Sequence, residues 1–593
     1  MPITRRSFLT ATASSFAWAA APARPNIVLV MTDDQGYGDL GCHGNPVLKT
    51  PHIDALYKES LRLTNYHVSP TCAPTRGALL TGRYTNLVGT WHTIQGRSIL
   101  HHDEVTLADT LREAGYRTGI FGKWHLGDNA PCRPQDKGFQ EVLVHGGGGI
   151  WQTPDHFGND YFDDVYLRNG KPWQASGFCT DVFFEEAQRF IARTASESRP
   201  FFCYIPANAP HGPMWAPEKN AAHYRNVKGL PEAGFYGMIE NIDENVGRLR
   251  KYLAGAGLAN NTIFIFTTDN GTASGAQVFN AGMRGSKGSA YDGGHRVPFF
   301  LHWPQGGFSA DRPVDTLTAH IDVLPTLLDF AGVARRRGAS LHGRSLRPLL
   351  QGKAWAERSI VVDSQREENL LPWRQAAVMT QRWRLVSPGP GGAGEPAKLE
   401  LYDMQDDAAQ KTDVAAAHPE IVSKLRTDYE AWWKLVSARQ KEYVRILLGD
   451  PRENPVKLTA HDWHGEGALR SWNQQQILRG PEANGFWAVQ VAAGQYRFEL
   501  RRWPRELDIP LGAAYTPPPG NRERTAGRAI TGIRKARVRI GGVDQTVDVN
   551  PESPAANFMI RLPEGPAELQ TWLLSEDGAA RGAYFVYVEQ IGN

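Results

Sequence analysis

Seven residues, Asn26–Thr32 (NIVLVMT), constrain the fold of this chain more than any other stretch. Their apolar side chains are consecutive rather than alternating. A strand of that kind needs cover on both faces, as strands in the interior of a parallel sheet have. Comparable runs recur at 117–122, at 200–205 (PFFCYI) and at Thr262–Thr268 (TIFIFTT). Between them lie stretches of helical periodicity at 50–61, at 106–114 with Gly115 as its stop, at 181–195 and at 235–254. Strands alternating with helices predict an α/β fold built on a doubly wound, mostly parallel sheet.

The texture changes twice further along. Residues 383–385 and 399–402 read as strands and Pro419–Val436 as a closing helix, which predicts a small α+β unit. After about residue 438, segments such as WAVQV from Trp487, YRFELRRW from Tyr496, ARVRI from Ala536 and YFVYV from Tyr584 alternate at period two between Gly and Pro loops. That is the pattern of an antiparallel β-sandwich. A chain of 593 residues is too long for one core. The predicted division is a leader at 1–23, a catalytic domain at 24–345, the small unit at 346–438 and the sandwich at 439–593. There is no internal repeat, and the four glycines at 146–149 read as a loop.

The leader carries Thr4-Arg5-Arg6-Ser7-Phe8-Leu9, a modest apolar stretch over 8–20 and then Ala21-Pro22-Ala23. The stretch is short for a membrane span and broken by Thr and Ser, so it reads as a cleaved twin-arginine signal. An exported protein is expected, periplasmic or extracellular, with no integral membrane span in the mature chain. A net charge of +3 gives no bulk field to attract nucleic acid or an anionic membrane. The five cysteines, Cys42, Cys72, Cys132, Cys179 and Cys203, are too few for a disulfide scaffold, and their odd number leaves room for one with a separate task.

Chemistry collects at the predicted strand ends, where ligands bind in open α/β sheets. The first strand runs into Asp33-Asp34 and the Thr262 strand into Asp269-Asn270. Either pair alone reads equally as a cap or turn. Together they offer the oxygen donors that calcium takes with loose geometry. Two more strands lead into Lys123-Trp124-His125 and Ala209-Pro210-His211, and the loop Met283-Arg284-Gly285-Ser286-Lys287-Gly288 can return Lys287 to the same rim. Cys72 stands two residues before Pro74, at a predicted helix start whose free N–H groups and dipole favour an anion. A thiol there is expected to be acidic, so a plain cysteine nucleophile is one reading.

Residues 25–329 resemble the type I sulfatases of the alkaline-phosphatase superfamily, with a pattern like that of arylsulfatases acting on aryl or glycan sulfates. The matching pieces are Pro25-Asn26-Ile27-Val28 with Thr32-Asp33-Asp34-Gln35, Cys72-Ala73-Pro74-Thr75-Arg76 with Leu80-Thr81-Gly82-Arg83, and Gly122-Lys123-Trp124-His125-Leu126-Gly127. Ala209-Pro210-His211, Thr268-Asp269-Asn270-Gly271, and Lys287-Gly288 with Gly293-Gly294-His295-Arg296-Val297-Pro298 follow in family order. Leu401-Tyr402-Asp403 resembles the family's C-terminal subdomain. The resemblance implies that Cys72 is oxidised to formylglycine by a maturation enzyme. It implies that Asp33, Asp34, Asp269, Asn270 and the modified Cys72 hold one Ca2+ ion. By the same likeness Arg76 steadies the formylglycine hydrate, Lys123 and Lys287 hold sulfate oxygens, and His125 helps expel sulfate. His211 protonates the leaving alcohol, with Lys287 assisting. A histidine titrating near neutrality is expected for that proton transfer. Thr75 departs from the family's usual serine but keeps a hydroxyl.

The implied substrate is a sulfated carbohydrate or aryl sulfate. Two rival functions stand beside it. A phosphoester or phosphonate hydrolase on the same fold is one; zinc-dependent relatives need a second metal site that the set above lacks. A catalytically silent sulfated-glycan-binding protein is the other, for which Cys72, Arg76, Lys123 and His211 together would be superfluous. Trp487, Trp503 and Trp572 either fill the sandwich core or stack on sugars. Trp91, His92, His101 and His102 are possible pocket walls, since they lie between Cys72 and Lys123.

Overall fold

The structure, a computed structural model, describes residues 24–389, 395–396 and 398–592; the predicted leader lies outside them. A ten-stranded sheet organises the first half. Across it the strands run Arg312–Val314, Leu61–Leu63, Phe299–His302, Thr262–Thr268, Asn26–Thr32, Phe201–Pro206, Arg117–Lys123, Glu141–His145, Val165–Arg168 and Lys171–Gln174. The five strands from Thr262–Thr268 to Glu141–His145 are mutually parallel. Antiparallel pairings flank them on either side.

The consecutive apolar residues of the Asn26 strand serve two cores. Ile27, Leu29 and Met31 enter one cluster with Leu79, Leu107 and Leu324, while Val28 and Val30 enter another with Phe183, Met238 and Ile242. Ile263 and Ile265 divide from Phe264 and Phe266 in the same way. Helices Cys179–Ser196 and Ala233–Gly255 cover the second face. Full burial of each such side chain contributes roughly 1.5–3 kcal/mol, so both faces hold the sheet in place.

Beyond it, a four-stranded antiparallel sheet of Ile360–Asp363, Ala376–Met379, Trp383–Ser387 and Glu400–Asp403 carries the helix Pro419–Val436. The helix residues Leu425, Tyr429, Trp432 and Val436 join the first core of the large sheet. From Ile446 two further sheets follow. One contains Phe486–Val491, Gly565–Ser575 and Ile533–Ile540; the other contains Val456–Thr459, Phe585–Gly592, Gly494–Arg501 and Ala556–Leu562. Trp487, Val538 and Leu569 of one share a core with Leu458, Phe498 and Val586 of the other. Trp487 and Trp503 are fully buried, and Trp572 is half-buried beneath the guanidinium groups of Arg537 and Arg539. No helix among the described residues is long and apolar enough to cross a membrane.

Candidate active site

The register of the sheet creates the site. Asn26–Thr32 and Thr262–Thr268 pair in parallel with Thr32 opposite Thr268. Asp33 and Asp269 therefore emerge side by side, as do Asp34 and Asn270. The Asp269 N–H donates to the Thr32 carbonyl at 3.1 Å, and the Asp34 N–H donates to Asp269 Oδ1 at 3.1 Å. Cys72 opens the helix Cys72–Thr81, every residue of which is buried. Ligand atoms of Asp33, Cys72 and Asp269 lie within 4.8 Å of one another.

Three cations thread this acidic cluster. Arg76, one helical turn beyond Cys72, places Nη2 at 2.7 Å from Asp269 Oδ2 and 4.0 Å from Asp33 Oδ2. Lys123 Nζ lies 2.6 Å from Asp33 Oδ2 and Lys287 Nζ 2.6 Å from Asp34 Oδ1. Arg76, Lys123 and the three carboxylates are deeply buried and Lys287 is partly so, and their charges interact in a poorly screened environment. Burial alone would raise the Asp34 carboxyl, but Lys287, His211 and Asn270 hold it well below the usual carboxylate range. Asp269 is pushed up to about 7 by burial and by Asp33 beside it, against the pull of Arg76.

Two oxygens test whether a cation fits. Asp33 Oδ1 and Asn270 Oδ1 are buried without a hydrogen-bond partner. Asn270 uses its Nδ2 on Asp34 Oδ1 at 2.9 Å and on the Gly271 carbonyl at 3.0 Å, which leaves its oxygen bare. Bare buried oxygens are costly unless something coordinates them. An all-oxygen donor set from Asp33, Asp34, Asp269 and Asn270 suits a hard cation such as calcium.

Both histidines have an assigned tautomer. His125 Nε2 donates to the Thr93 carbonyl at 2.9 Å, so Nδ1 is the bare nitrogen, buried and unpartnered. His211 Nδ1 donates to the Gly212 carbonyl at 2.7 Å, which leaves Nε2 bare, 3.9 Å from Asp34 Oδ2. Burial, Lys123 and His461 push His125 well below the ordinary histidine range. Burial pushes His211 down to about 4, with Asp34 opposing. The near-neutral titration expected of a proton-donating histidine is therefore corrected downward at His211. The acidic thiol expected at Cys72 is corrected as well. Burial raises the Cys72 pKa, and it outweighs Lys123 and Lys287. The thiol is a poor nucleophile as it stands.

Other expectations resolve locally. The Thr75 hydroxyl donates to the Ser69 carbonyl at 2.9 Å, a bond that serine would also make. Trp91 is buried with Nε1 on the Glu367 carbonyl, and His92 is buried with Nδ1 accepting from the Thr93 N–H. His101 is buried and His102 exposed, and their carbonyls hold the Lys137 ammonium. All five cysteines are free thiols. Residues that sequence reasoning missed are Thr93, Gly148 and Gly149. A Cβ at Gly148 would stand 2.2 Å from the His125 ring, and one at Gly149 would stand 3.3 Å from the His211 ring. The four glycines at 146–149 were the available signal: backbone lies where side chains would collide.

Comparison with known proteins places the chain in a family. Residues 25–333 match the Sulfatase family model, and residues 286–432 match the model described as N-sulphoglucosamine sulphohydrolase, C-terminal. The N-acetylgalactosamine-6-sulfatase of Canis lupus familiaris is 32% identical over 509 residues, which cover 78% of this chain and 94% of the relative. Arylsulfatase A of Homo sapiens is 33% identical over 381 residues, covering 60% of this chain and 72% of the relative. Among solved structures, Ps i-CgsB in complex with k-i-k-neocarrahexaose is similar with a TM-score of 0.64 and 26% identity, over 71% of this chain and 95% of the other.

Proposed function

The chain belongs to the sulfatase family and is a sulfuric ester hydrolase, and from that premise we propose a formylglycine-dependent, calcium-dependent enzyme acting on a sulfated carbohydrate or aryl sulfate. The observation that carries this reading is the position of Cys72. It begins a buried helix with its sulfur among the carboxylates of Asp33 and Asp269, yet burial leaves it a weak thiolate former. A residue so placed is better used as the precursor of an aldehyde hydrate than as a thiol.

The chain's own groups then divide the reaction. Lys123 and Lys287 hold the sulfate oxygens, and Arg76 steadies the hydrate. One hydroxyl of the hydrate attacks sulfur, its proton passing to the Asp33 and Asp269 carboxylates beside it, as the bond to the alcohol oxygen breaks. Negative charge builds on that oxygen, and His211 delivers a proton to it. The proton affinity of His211 rises when the anionic ester lies beside it, because a neighbouring negative charge favours imidazolium. His125, held with a bare Nδ1, removes the proton of the remaining hydroxyl. Sulfate leaves and the aldehyde returns. Calcium, held by Asp33, Asp34, Asp269 and Asn270, would supply electrostatic stabilisation of the charge on the sulfuryl group.

Conversion of Cys72 precedes folding in this scheme, because Cys72 is buried in the folded chain. It takes place in the cytoplasm, before export by the twin-arginine route and cleavage after Ala23. The test is mass spectrometry of the Cys72 peptide, combined with rates on sulfate and phosphate esters of one alcohol. The aldehyde mass, faster sulfate cleavage and loss of activity on calcium removal are expected. An intact thiol in fully active protein would refute the mechanism, and faster phosphate cleavage would move the enzyme to the phosphoester class.

A further inference from the structure

The C-terminal β unit reaches the catalytic centre through one side chain. His461 lies in the turn Ala460–Asp462, directly after the strand Val456–Thr459, and is 1% exposed. Its Nε2 is 3.0 Å from Gln152 Oε1 and its Nδ1 is 2.9 Å from Asp462 Oδ1. Gln152 Oε1 also accepts from the Gly148 N–H at 2.6 Å, which identifies that atom as the amide oxygen. An oxygen thus faces each ring nitrogen and holds the ring from both sides.

The ring is therefore a clamp, and what it clamps is the housing of His125. Gly148, tied through Gln152, lies against the His125 imidazole. The His461 carbonyl accepts from the Gln95 N–H at 3.0 Å, two residues beyond the Thr93 carbonyl that fixes His125 Nε2. The centroids of the two imidazoles are 6.2 Å apart. The next segment of the same unit reinforces the hold: the Thr153 N–H donates to the Trp472 carbonyl at 3.0 Å, and the Gln474 N–H donates to the Trp151 carbonyl at 2.8 Å.

We propose that His461 is a positioning residue for His125, so that the C-terminal β unit completes the active site of the sulfatase domain. It fixes the two backbone walls, residues 93–95 and Gly148, that give His125 one orientation and one bare nitrogen. The inference rests on the reading of His125 as the base that expels sulfate. A merely structural role, a buried polar pair at a domain contact, would lower stability without reference to His125.

The experiment uses the full-length enzyme with His461→Ala, His461→Gln, His125→Ala and the double variant His125→Ala/His461→Ala. Rates on one aryl sulfate, melting temperature and the mass of the Cys72 peptide are measured for each. His461→Ala is expected to lower kcat by about tenfold to a hundredfold with KM within about twofold, the scale of a misplaced catalytic group. His461→Gln, whose amide can still donate to Gln152, recovers part of the loss. In the His125→Ala background the His461→Ala change costs nothing more, because coupled residues are not additive. An unchanged kcat in His461→Ala, or an equal loss with and without His125, overturns the proposal. Should His461→Ala not fold, Gln152→Leu removes only the acceptor between His461 and Gly148, and the same two outcomes decide. Failure of the underlying reading shows separately, as wild-type protein that is inactive on sulfate esters or is unaffected by His125→Ala.

Discussion

Gly148 shows how little space the site leaves around His125. A methyl group there would stand 2.2 Å from His125 Cε1 and Nε2, far inside contact distance. The ring must swing away, because the backbone of Gly148 is itself held by Gln152. Gly148→Ala is expected to lower kcat by about a hundredfold while KM stays within a few-fold, since displacing a catalytic group by about 1 Å costs on that order. Steady-state kinetics on an aryl sulfate check this, and an unchanged kcat would show that His125 has room the structure does not give it. The residues Asp33, Asp34, Cys72, Arg76, Lys123, Asp269, Asn270 and Lys287 were picked out in the sequence from short motifs, and the structure brings them into one cluster. His211 and His125 were legible too, but their proton states were not. Those depend on Gly212, Thr93 and the depth of burial, which no local motif encodes.

One helix here is capped from a distance. The helix Pro51–Lys58 receives no side-chain cap from its own Thr50. Its first-turn amides instead donate to Asp243 of the long helix Ala233–Gly255: His52 N at 3.2 Å and Ile53 N at 2.7 Å. Asp243→Ala strands these donors and is expected to cost about 1–3 kcal/mol, read as a lower urea midpoint. Burial pushes Asp243 up to about 7, despite its bonds from Ile53 and His52. A carboxyl raised in the folded state gives its full stabilisation below the unfolded pKa and loses it as pH rises through the folded value. Asp243→Asn should therefore be more destabilising relative to wild type at pH 5 than at pH 8; a gap that widened toward pH 8 would reverse the assignment. Sequence periodicity placed this helix at 50–61, longer than the observed Pro51–Lys58, because it could not see where Leu61–Leu63 joins the sheet. It found Thr262–Thr268 and Pro419–Val436 in full, where burial is uniform or Pro marks the start.

At the scale of the molecule, the C-terminal β unit is not a free appendage. Ile99, Cys132 and Phe157 of the first half lie in its hydrophobic core, and Phe157 meets Trp503 and Tyr515 edge-on with centroids 5.8 and 5.0 Å apart. Phe157→Ala should cost about 3–5 kcal/mol, as large-to-small changes in aromatic cores do, and should lower the melting temperature seen by calorimetry. Two well-resolved wild-type transitions, only the later one moving, would show that the halves unfold independently. The sequence by itself determined the parallel sheet, the acidic pairs at its strand ends and the cysteine at a helix start. Each follows from local periodicity or from residue type at short spacing. The tertiary structure alone decided that Asp33 stands beside Asp269, because strand register is a long-range pairing. It also decided that Cys72 is buried enough to lose its acidity and that His461, more than three hundred residues from His125, closes the wall behind it. Burial and contact between distant segments are properties of packing, and a linear pattern of side chains does not carry them.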